Sequence, residues 1–518
     1  EHNSVLRPLY ELEEKGIGVT IVFCEKNGTI SCEKIKQAIG KNTKAIVCTH
    51  ASNVTGDGND IAQIGTLCEK YNLYFILDAS QTAGTIEIDM EQNHISAICF
   101  TGHKGLFGPQ GTGGIALADG VCVKPLLSGG SGVHSFERKH PMELPAALEA
   151  GTLNGHGIAG LHAALDWIKK TGIAAIHEKE MALAEQFQRG IETIPGIHIY
   201  GGEKRVAAIV SCNLADLDSA YVSDCLAENY GIATRAGAHC APQIHTHFGT
   251  EKQGMVRFSF SCFNTTEEVE KAVRAMQDIA AENRGKVTAY VGAGGKTSSI
   301  RKRAETLRAE GKRVLILTTT KMMVPQEQEI FTAYEQTGQE SVISATASVW
   351  QERRAAEKQL KERVQSVLDT YGCCVAGSLI PGTEKFGMLP EKLMEDLLYL
   401  ADEILIEADG SAHMPVKAPA EHEPVLFPYM DEVVIVMGAH AIGKPLREVC
   451  HRVDYAKELL KCDADKIVTA ADLKTLAEQG YAIPIQKQYP WMKISKVTGK
   501  DIKLCLTAEK KDKVRDKQ

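Results

Sequence analysis

Two lysines stand in glycine-rich stretches, and each stretch suits a different chemistry. Lys104 lies in FTGHKGLFGPQGTGG, residues 100–114, directly after a histidine. Lys296 lies in VGAGGKTSS, residues 291–299, directly before a threonine. A lysine amine can bond covalently to an aldehyde cofactor, and it can also bind the outer phosphates of a nucleotide. The elements around each lysine decide between these roles.

The first lysine follows alternating β-type and helical segments. The expected strands cover residues 18–24, 43–50, 73–80 and 95–102, and the expected helices cover residues 31–40 and 60–72. This alternation predicts an α/β fold with a largely parallel sheet, whose functional residues lie at the carboxyl ends of the strands. A smaller unit with strands near residues 205–214 and 254–263 follows, and it closes on a helix over 265–285.

Several polar side chains are expected at one edge of this sheet. Asp78 ends the apolar run LYFIL, and Gln81 follows three residues later. The next strand delivers Thr101, His103 and Lys104 to the same edge. Pyridoxal phosphate (PLP) requires this combination, because its aldehyde needs an amine, its ring nitrogen a carboxylate and its phosphate hydroxyl donors. For Asp78 alone, a helix N-cap or turn is the alternative.

The stretches DASQTAG and TGHKGLFGPQGTGG resemble class V aminotransferases of PLP fold type I, in particular the cysteine desulfurase and selenocysteine lyase branch. The resemblance covers residues 1–280 and continues, in the family's order, through EHNS, SNVTG, LEAGTLN, TRAGAHCAPQIH and VRFSFSCFNT. It implies a mostly parallel sheet followed by a small α+β domain, and a homodimer.

The resemblance also implies a role for each matched residue. The PLP-binding set would be Asn53, Asp78, Gln81, Thr101, His103, Lys104, Gly151 and Thr152, of which the last two would reach the phosphate in the partner subunit. Lys104 would anchor PLP, and His2 would share its proton transfers. Arg257, with Asn53, would bind the substrate carboxylate.

Cys240 is the expected nucleophile. Its thiolate would attack the sulfur or selenium of L-cysteine or selenocysteine, which gives a persulfide or perselenide on Cys240 and releases alanine. Arg235 and His239 are close in sequence, and positive neighbours favour a thiolate. The alternative for Cys240 is a buried structural thiol. The alternative for the enzyme is an aminotransferase or lyase without persulfide chemistry.

Two further features of this half shape the expectation. His245 and His247 lack a third ligand of suitable spacing, so we predict loop histidines rather than a metal site. In the family, a segment with a phosphate-holding helix N-terminus precedes the E-H motif, so we expect an N-terminally truncated chain.

The second lysine follows a strand and opens a helix, the context of a phosphate-binding loop. The expected nucleotide-binding residues are Gly292, Gly294, Gly295, Lys296, Thr297 and Ser298. The match to GxxxxGK[ST] is imperfect, since Tyr290 stands where the first glycine belongs. The expected ligands of Mg²⁺ are Thr297 and Asp409, and the alternative for Asp409 is a strand-ending turn.

Further segments of this half appear in a consistent order. TTTK, residues 318–321, offers hydroxyls suited to a γ-phosphate, and ADEILIEADGSA ends in Glu407 and Asp409. Residues 287–476 resemble the YqeC family of selenium-dependent hydroxylase accessory proteins. That implies a P-loop NTPase-like α/β domain that binds ATP or GTP with Mg²⁺, with hydrolysis left open and a nucleotide-binding scaffold or cofactor chaperone as the alternative.

The loop KAPAEHEP of this half offers Lys417, Glu421 and His422 as substrate-facing residues. An exposed polar loop is the equal alternative.

Chain length, net charge and cysteine content limit the possible domain organisation and function. A chain of 518 residues is too long for one ordinary domain. We predict a first domain over 1–285, divided into a large portion (1–195) and a small portion (196–285), and a second domain over 286–518, with a poorly patterned tail over 487–518.

The net charge of −8 without a basic block argues against nucleic-acid binding. The absence of a long apolar run argues against a membrane span, and the 15 scattered cysteines indicate a reducing, cytoplasmic location.

The sequence therefore predicts a fused maturation protein. A PLP enzyme would mobilise sulfur or selenium, and a nucleotide-binding domain would act in maturing a selenium-dependent molybdenum hydroxylase. The expected partner is an acceptor protein such as that hydroxylase or its cofactor machinery. Artificial joining of two reading frames is a further alternative.

Overall fold

The computed structural model describes residues 2–25, 29–334 and 347–499. The chain divides into two compact units, unit 1 (Glu1–Ile279) and unit 2 (Ala280–Gln518). The division falls inside a helix, whereas the sequence places a boundary near Arg284–Gly285. Within the described residues, none of the helices has the length and apolar character that crossing a bilayer requires.

Unit 1 combines two sheets with surrounding helices. Its helices are α1 (Asn3–Glu14), α2 (Cys32–Ala38), α3 (Ile61–Tyr71), α4 (Gly155–Thr171), α5 (Ile173–Ile191), α6 (Ser219–Tyr230), α7 (Pro242–Phe248) and α8 (Thr266–Asn283), with a 3₁₀ turn at Ala146–Leu148. Its strands are β1 (Ala45–Thr49), β2 (Tyr74–Asp78), β3 (Ala97–Thr101), β4 (Gly113–Leu117), β5 (Ile197–Tyr200), β6 (Ile209–Leu214) and β7 (Val256–Ser259).

The larger sheet of unit 1 brings the carboxyl ends of β1, β2 and β3 to one edge. These three strands are parallel, and β4 runs antiparallel to β3. In the register, Thr49 lies opposite Asp78, and Asp78 lies opposite Cys99. Strands β5, β6 and β7 form a separate antiparallel sheet. The α/β character and the parallel order expected from the sequence are thus present.

Apolar side chains of β2 position this edge. Phe75 and Leu77 are fully buried and pack in one cluster with Ile64 of α3. Helix α3 begins where the Asp60 side chain accepts from the backbone of Gln63, a typical N-cap. The short helix is therefore fixed at its start and along its buried face, and it supports the strand that ends in Asp78.

The expected strand over residues 18–24 is wrong, since these residues, all of them described, do not form a strand. Phe23 in this run is 56% exposed, so the segment does not bury its aromatic side chain. β-propensity largely measures how well a side chain fits a half-buried sheet face, and an unpaired segment lacks that face.

Unit 2 has the elements of an α/β domain. Its strands are β8 (Lys286–Gly292), β9 (Val314–Thr318), β10 (Lys321–Met323), β11 (Phe331–Tyr334), β12 (Cys373–Leu379), β13 (Lys385–Gly387), β14 (Glu403–Glu407), β15 (Val416–Lys417), β16 (Glu432–Gly438), β17 (Cys450–His451) and β18 (Lys493–Gly499). Its helices are α9 (Lys296–Ala309), α10 (Ala347–Tyr371), α11 (Glu391–Leu397), α12 (Leu446–Val449), α13 (Val453–Leu460), α14 (Ala470–Thr475) and α15 (Ile483–Gln488), with 3₁₀ turns at Gln328–Ile330 and Ala439–Ala441 and a π-helical stretch Leu476–Ala482 between α14 and α15.

The main sheet of unit 2 has the order β10-β13-β12-β9-β14-β8-β16-β18, and β11 pairs with β12. Strands β12, β9, β14, β8, β16 and β18 are parallel to their neighbours along this series. Alternate residues of β8 belong to different core clusters, with Val287 and Val291 in one and Tyr290 in the other. The sheet is therefore buried on both faces, as parallel sheets are.

The end of the described chain differs from the expectation of a poorly patterned tail. Strand β18 pairs in parallel with β16, with Ile494 opposite Val433. The strand sits at the sheet edge and carries Lys493 and Lys496, and such charges obscure a strand pattern while protecting an edge. Residues 500–518 of the expected tail lie outside the described residues.

Candidate active site

Strand β2 ends at Asp78 and β3 leads to Lys104, so adjacent strands deliver these two residues. The Asp78 carboxylate accepts from the backbone N–H and from the hydroxyl of Ser80, at 3.0 and 2.5 Å. Partial burial lowers the pKa of Lys104, while the nearby Asp78 charge opposes that shift. A lysine that reaches solvent at a strand edge, with a depressed pKa and a carboxylate nearby, is suited to covalent chemistry.

His2 lies at the same edge. Its Nδ1 accepts from the backbone N–H of Ser4 at 3.1 Å, so the imidazole caps helix α1. Burial lowers the pKa of His2, and the charge of Lys104 lowers it further, against the opposing effect of Asp78. The lowered pKa favours the neutral imidazole of His2, which lies within electrostatic range of the Lys104 amine.

Cys240 lies in a turn that contacts the start of α1. The backbone N–H of Asn3 donates to the Cys240 carbonyl at 2.8 Å. The Arg235 guanidinium donates from Nη2 to the Cys240 sulfur at 3.4 Å. Among the described cysteines, Cys240 and Cys122 are the exposed ones. The sulfur is thus reachable from solvent and is held by a cation.

The expectation that His239 is a positively charged neighbour of Cys240 is wrong. His239 is buried, and its Nε2 lies 3.0 Å from the Met255 carbonyl oxygen. Burial, aided by the Arg257 charge, lowers the pKa of His239 to about 3, so its imidazole is neutral at neutral pH. The two residues are adjacent in sequence, but both have a positive φ, and this backbone conformation turns their side chains to different surroundings.

Arg257 has one hydrogen-bonded arm and one buried donor left over. Its Nη1 donates to the backbone carbonyl of Asn53 at 2.9 Å. Its Nε is buried without a hydrogen-bond partner among the described residues. A buried unpaired donor is costly unless a ligand satisfies it, so this guanidinium suits an anionic group. The Asn53 amide donates to the His239 carbonyl at 2.9 Å, which joins Asn53 to the Cys240 turn.

The remaining predicted PLP residues lie at the end of β3, just after β2, and in the loop before α4. The Thr101 hydroxyl and His103 Nδ1 are 2.6 Å apart, and Gln81 lies partly exposed just after β2. Gly151 and Thr152 are exposed ahead of α4. Their contact with a partner subunit stays a prediction, as do the individual roles of the whole set.

The two histidines expected in a loop are in helix α7 instead. His245 is buried, and its Nδ1 lies 2.9 Å from the Thr250 hydroxyl. Among the residues that the structure describes, no three His, Cys, Asp or Glu side chains form a metal-ligating group. Pro242 at the start of the segment is the signal for the helix, since proline favours the first helical turn.

The donor set of unit 1 fits PLP. Lys104 supplies a partly buried amine, Asp78 a carboxylate in range of it, and Arg257 an unpaired buried donor for an anionic group. Thr101 and His103 add a hydroxyl and an imidazole at the same strand end. Lys104, Asp78, Thr101 and His103 would hold the aldehyde, the ring nitrogen and the phosphate of PLP, and Arg257 would bind an anionic group of the substrate.

The second lysine lies on a tight strand-to-helix turn in unit 2. Gly292 and Gly294 have φ of 90° and 76°. A Cβ on Gly292 would collide with the Val436 carbonyl, and one on Gly294 with the Pro415 carbonyl. Positive φ and close backbone approach together explain why glycine is required here.

Lys296 begins α9, and its side chain folds back onto this loop. It is buried, and its Nζ donates to the Gly292 carbonyl at 2.7 Å. Burial lowers the pKa of Lys296, although Glu407 and Asp409 oppose that shift. The neighbouring Thr297 hydroxyl donates to Glu407 Oε2 at 2.9 Å, and Ser298 is exposed.

Asp409 has partners that the sequence did not suggest. Its carboxylate forms a buried ion pair with Lys417 and accepts from the Tyr481 hydroxyl at 2.7 Å and from the backbone N–H of Gly292 at 3.1 Å. The expectation that Lys417 faces substrate or solvent is wrong, because its side chain is fully buried. Glu421 and His422 are exposed. The apolar sequence MPVKAP around Lys417 is the signal that could have indicated its burial.

The TTTK hydroxyls mainly bind backbone. The Thr318 hydroxyl donates to the Glu407 carbonyl at 2.9 Å, and the Thr319 hydroxyl donates to the Val425 carbonyl at 3.2 Å. The first bond ties the ends of β9 and β14 together, and the second joins Thr319 to a loop that follows β14 in the chain. The Thr318 and Thr319 hydroxyls therefore hold backbone segments near the glycine loop, and they are not free to bind a phosphate.

Residues 1–272 match the family model described as aminotransferase class-V, which is more than half of the chain. The chain belongs to the class-V aminotransferase family. Residues 288–454 match the model described as YqeC protein. The family assignment and the YqeC match both agree with the resemblances found in the sequence.

Curated relatives of this aminotransferase half are cysteine desulfurases. A "Probable cysteine desulfurase" of Methanothermobacter thermautotrophicus is 33% identical over 285 residues, which cover 54% of this chain and 71% of the relative. A "Cysteine desulfurase" of Shigella flexneri is 30% identical over 285 residues, covering 54% of this chain and 69% of the relative.

A solved structure agrees with this assignment. The apo cysteine desulfurase of Thermococcus onnurineus has a TM-score of 0.52 and 29% identity, covering 54% of this chain and 71% of that one. The α/β fold of unit 1 is therefore that of PLP-dependent aminotransferase-like proteins, and the chain is a cysteine desulfurase-like enzyme.

Proposed function

We propose that unit 1 removes sulfur from L-cysteine, releases L-alanine and keeps the sulfur as a persulfide on Cys240. The observation that carries this proposal is the exposed Cys240 sulfur held by Arg235 at 3.4 Å. The turn that bears Cys240 binds the start of α1, where His2 lies near Lys104. The cysteine desulfurase relatives support the same substrate and product.

Bound PLP would supply an electron sink that makes the Cα proton and the Cβ–S bond of the substrate labile. Lys104, Asp78, Gln81, Asn53, Thr101 and His103 are the residues of this chain that would hold it, with Gly151 and Thr152 contributed by a partner subunit in a homodimer. Lys104 is the covalent anchor of this set. Its depressed pKa favours the neutral amine that such a bond requires.

The protein residues bind the substrate and move its protons. Arg257 binds the substrate carboxylate through the Nε donor that is buried and unpaired among the described residues. Lys104 and His2 hold and return protons near Cα, since both side chains have a lowered pKa and lie within electrostatic range of each other.

The sulfur transfer balances without an oxidant. The Cys240 sulfur attacks the substrate sulfur, so one S–S bond forms and the substrate C–S bond breaks. The substrate carbon gains the proton that yields alanine, and the remaining proton stays on the outer sulfur. Cysteine and the Cys240 thiol thereby become alanine and a Cys240 persulfide. Selenocysteine would follow the same balance and leave a perselenide.

We further propose that unit 2 binds ATP or GTP with Mg²⁺ through a P-loop-like site and acts in maturing a selenium-dependent molybdenum hydroxylase. The support is the strand–glycine loop–helix order around Lys296, the Thr297–Glu407 contact of 2.9 Å and the YqeC family match. The acceptor of the Cys240 sulfur or selenium would be that hydroxylase or its cofactor machinery.

The desulfurase proposal is tested with the two exposed cysteines among those described, Cys240 and Cys122. Alanine release from L-cysteine is measured for Cys240→Ser and for the matched control Cys122→Ser, with PLP absorbance recorded for both. We expect Cys240→Ser to lose alanine release while PLP absorbance persists, and Cys122→Ser to behave as the unaltered chain. Alanine release that survives in Cys240→Ser would instead favour a lyase without persulfide chemistry.

The nucleotide proposal is tested by equilibrium binding of ATP and of GTP to the full chain and to Lys296→Ala. Lys302→Ala, on the same helix, is the control. We expect Lys296→Ala alone to lose affinity, because its amine lies on the glycine loop. Equal affinity of all three proteins would contradict the proposed site.

A further inference from the structure

Two carboxylates two residues apart at the end of β14 face different partners. Glu407 is the last residue of the strand, and Asp409 follows in the turn. Both are buried, with 8% and 1% of their surfaces exposed. In the sequence, either could serve as the acidic residue beside Mg²⁺, and Asp409 was the expected one. Their contacts separate the two roles.

Glu407 is joined to the residue expected to bind the metal. The Thr297 hydroxyl donates to Glu407 Oε2 at 2.9 Å. Burial raises the pKa of Glu407, and the charge of Lys296 and the Thr297 hydroxyl oppose that shift. Threonine and carboxylate oxygens are the ligands that Mg²⁺ prefers.

Both oxygens of Asp409 are already used. Oδ1 is paired with the Lys417 ammonium, and Oδ2 accepts from the Tyr481 hydroxyl and the Gly292 N–H. Lys417 is fully buried and also contacts the Gly410 carbonyl and the Glu423 carboxylate, at 2.5 and 2.8 Å. If Asp409 turned to a metal ion, a buried ammonium would lose its main partner.

We propose that Glu407, with Thr297, is the metal-side carboxylate of the nucleotide site, and that Asp409 is a positioning residue. Asp409 holds the backbone of the glycine loop at Gly292, while Lys417 and Tyr481 hold Asp409. This inference rests on the proposed nucleotide binding. Asp409 should therefore contribute to nucleotide affinity whether or not Mg²⁺ is present, whereas the contribution of Glu407 should require Mg²⁺.

The binding test measures the affinity of fluorescent ATP and GTP analogues for the full chain, with excess MgCl₂ and with excess EDTA. Glu407→Gln keeps the size of the side chain and its ability to accept from Thr297, but it removes the charge. Asp409→Asn likewise keeps the size of the side chain and removes the charge, but its amide retains only one acceptor oxygen. For each protein, the ratio of the affinity in MgCl₂ to the affinity in EDTA gives the gain in nucleotide affinity that Mg²⁺ provides.

We expect Glu407→Gln to bind the analogues in EDTA as the unaltered chain does, and to lose the gain from Mg²⁺. We expect Asp409→Asn to bind more weakly in both solutions, with the gain retained. Loss of one hydrogen bond in the loop support alone would weaken binding about fivefold, which corresponds to about 1 kcal/mol, and loss of the charged partner of Lys417 adds to this, so we expect at least that effect. If Asp409→Asn removes the gain from Mg²⁺ and Glu407→Gln retains it, the assignment is overturned.

A second test needs no nucleotide and uses a milder variant. Tyr481→Phe removes only the hydroxyl that donates to Asp409. Tyr429→Phe is the matched control, since the Tyr429 hydroxyl is buried in the same unit without a hydrogen-bond partner among the described residues. Hydrogen exchange is measured on the peptide that spans residues 291–297 in the full chain.

We expect exchange in this peptide to be about fivefold faster in Tyr481→Phe, because a weaker Asp409 support lets the loop open more often. Tyr429→Phe should leave it unchanged. Unchanged exchange in Tyr481→Phe would refute the positioning role even if nucleotide binds. If instead the unaltered chain binds neither analogue, the proposed function of unit 2 fails, while the exchange result still decides how Asp409 acts.

Discussion

The buried Lys417–Asp409 pair offers a stability prediction with a defined magnitude. Both side chains have no exposed surface, and Lys417 is also 2.8 Å from Glu423. Two opposite unit charges at the Lys417–Glu423 distance attract each other by about 6 kcal/mol in a protein-like medium, and the Lys417–Asp409 attraction is of the same order; the cost of desolvating the charges offsets much of it. Removing one partner leaves the other charge buried and unpaired, so Lys417→Met should reduce the free energy of unfolding of unit 2 by about 3–5 kcal/mol.

The assay is urea denaturation followed by tryptophan fluorescence in a Trp167→Phe background. Trp167 belongs to unit 1, so its removal leaves a signal from the tryptophans that follow in unit 2, such as Trp491. The comparison for Lys417→Met is the half-exposed Lys457, whose ion pair with Asp454 spans 3.3 Å.

Lys457→Met should cost no more than about 1 kcal/mol, as surface ion pairs do. Adding Asp409→Asn to Lys417→Met should recover some of the loss, because the unpaired carboxylate is then neutral. Arg452 keeps its contact with Glu423, at 2.9 Å. If Lys417→Met costs no more than Lys457→Met, the ion pair does not support unit 2 as described.

Three further predictions concern unit 1. Arg257→Ala should raise KM for L-cysteine at least about tenfold with a smaller effect on kcat, because it removes a charged hydrogen-bond donor for the carboxylate; steady-state kinetics checks this. Arg235→Met should slow alanine release about tenfold without changing PLP absorbance, since the guanidinium that donates to Cys240 is lost; equal rates would contradict the contact. In the folded chain the pKa of His239 is lowered from 6.5 to about 3, so as pH falls the imidazole is protonated first in the unfolded chain. The contribution of His239 to the free energy of unfolding is therefore fully present above about pH 6.5 and is lost as pH falls towards about 3. In a background with the other two tryptophans replaced by phenylalanine, the stability that Trp167 fluorescence reports should depend less on pH for His239→Asn. An unchanged pH dependence would contradict the buried neutral imidazole.

Strands and motif residues could be predicted where local pattern and tertiary packing agree. The run from residues 73 to 80 has a buried apolar pattern and became β2 with Asp78 at its end. The run 18–24 has similar β-propensity but no strand to pair with among the described residues, and sequence alone does not supply that information. Strand β18 was missed for the opposite reason, because pairing with β16 stabilises a lysine-bearing segment.

The candidate sites show the same limit at the level of single side chains. The sequence placed Arg235, His239 and Cys240 together, yet the backbone conformation turns His239 inwards. Glu407 and Asp409 are equivalent strand-end acids as far as their spacing in the sequence is concerned. Lys417 and Tyr481, which separate these acids, come from later segments of the chain, so only the folded structure brings them to Asp409.

The most direct test of the desulfurase account is the fate of the substrate sulfur. The full chain with PLP is incubated with L-cysteine that carries a heavy sulfur isotope, and its peptides are analysed by mass spectrometry without reductant. The account predicts one additional heavy sulfur atom on the peptide that contains Cys240, removable by a thiol reductant and formed together with alanine. Alanine production with no added sulfur on Cys240, or with the sulfur on another cysteine, would contradict it.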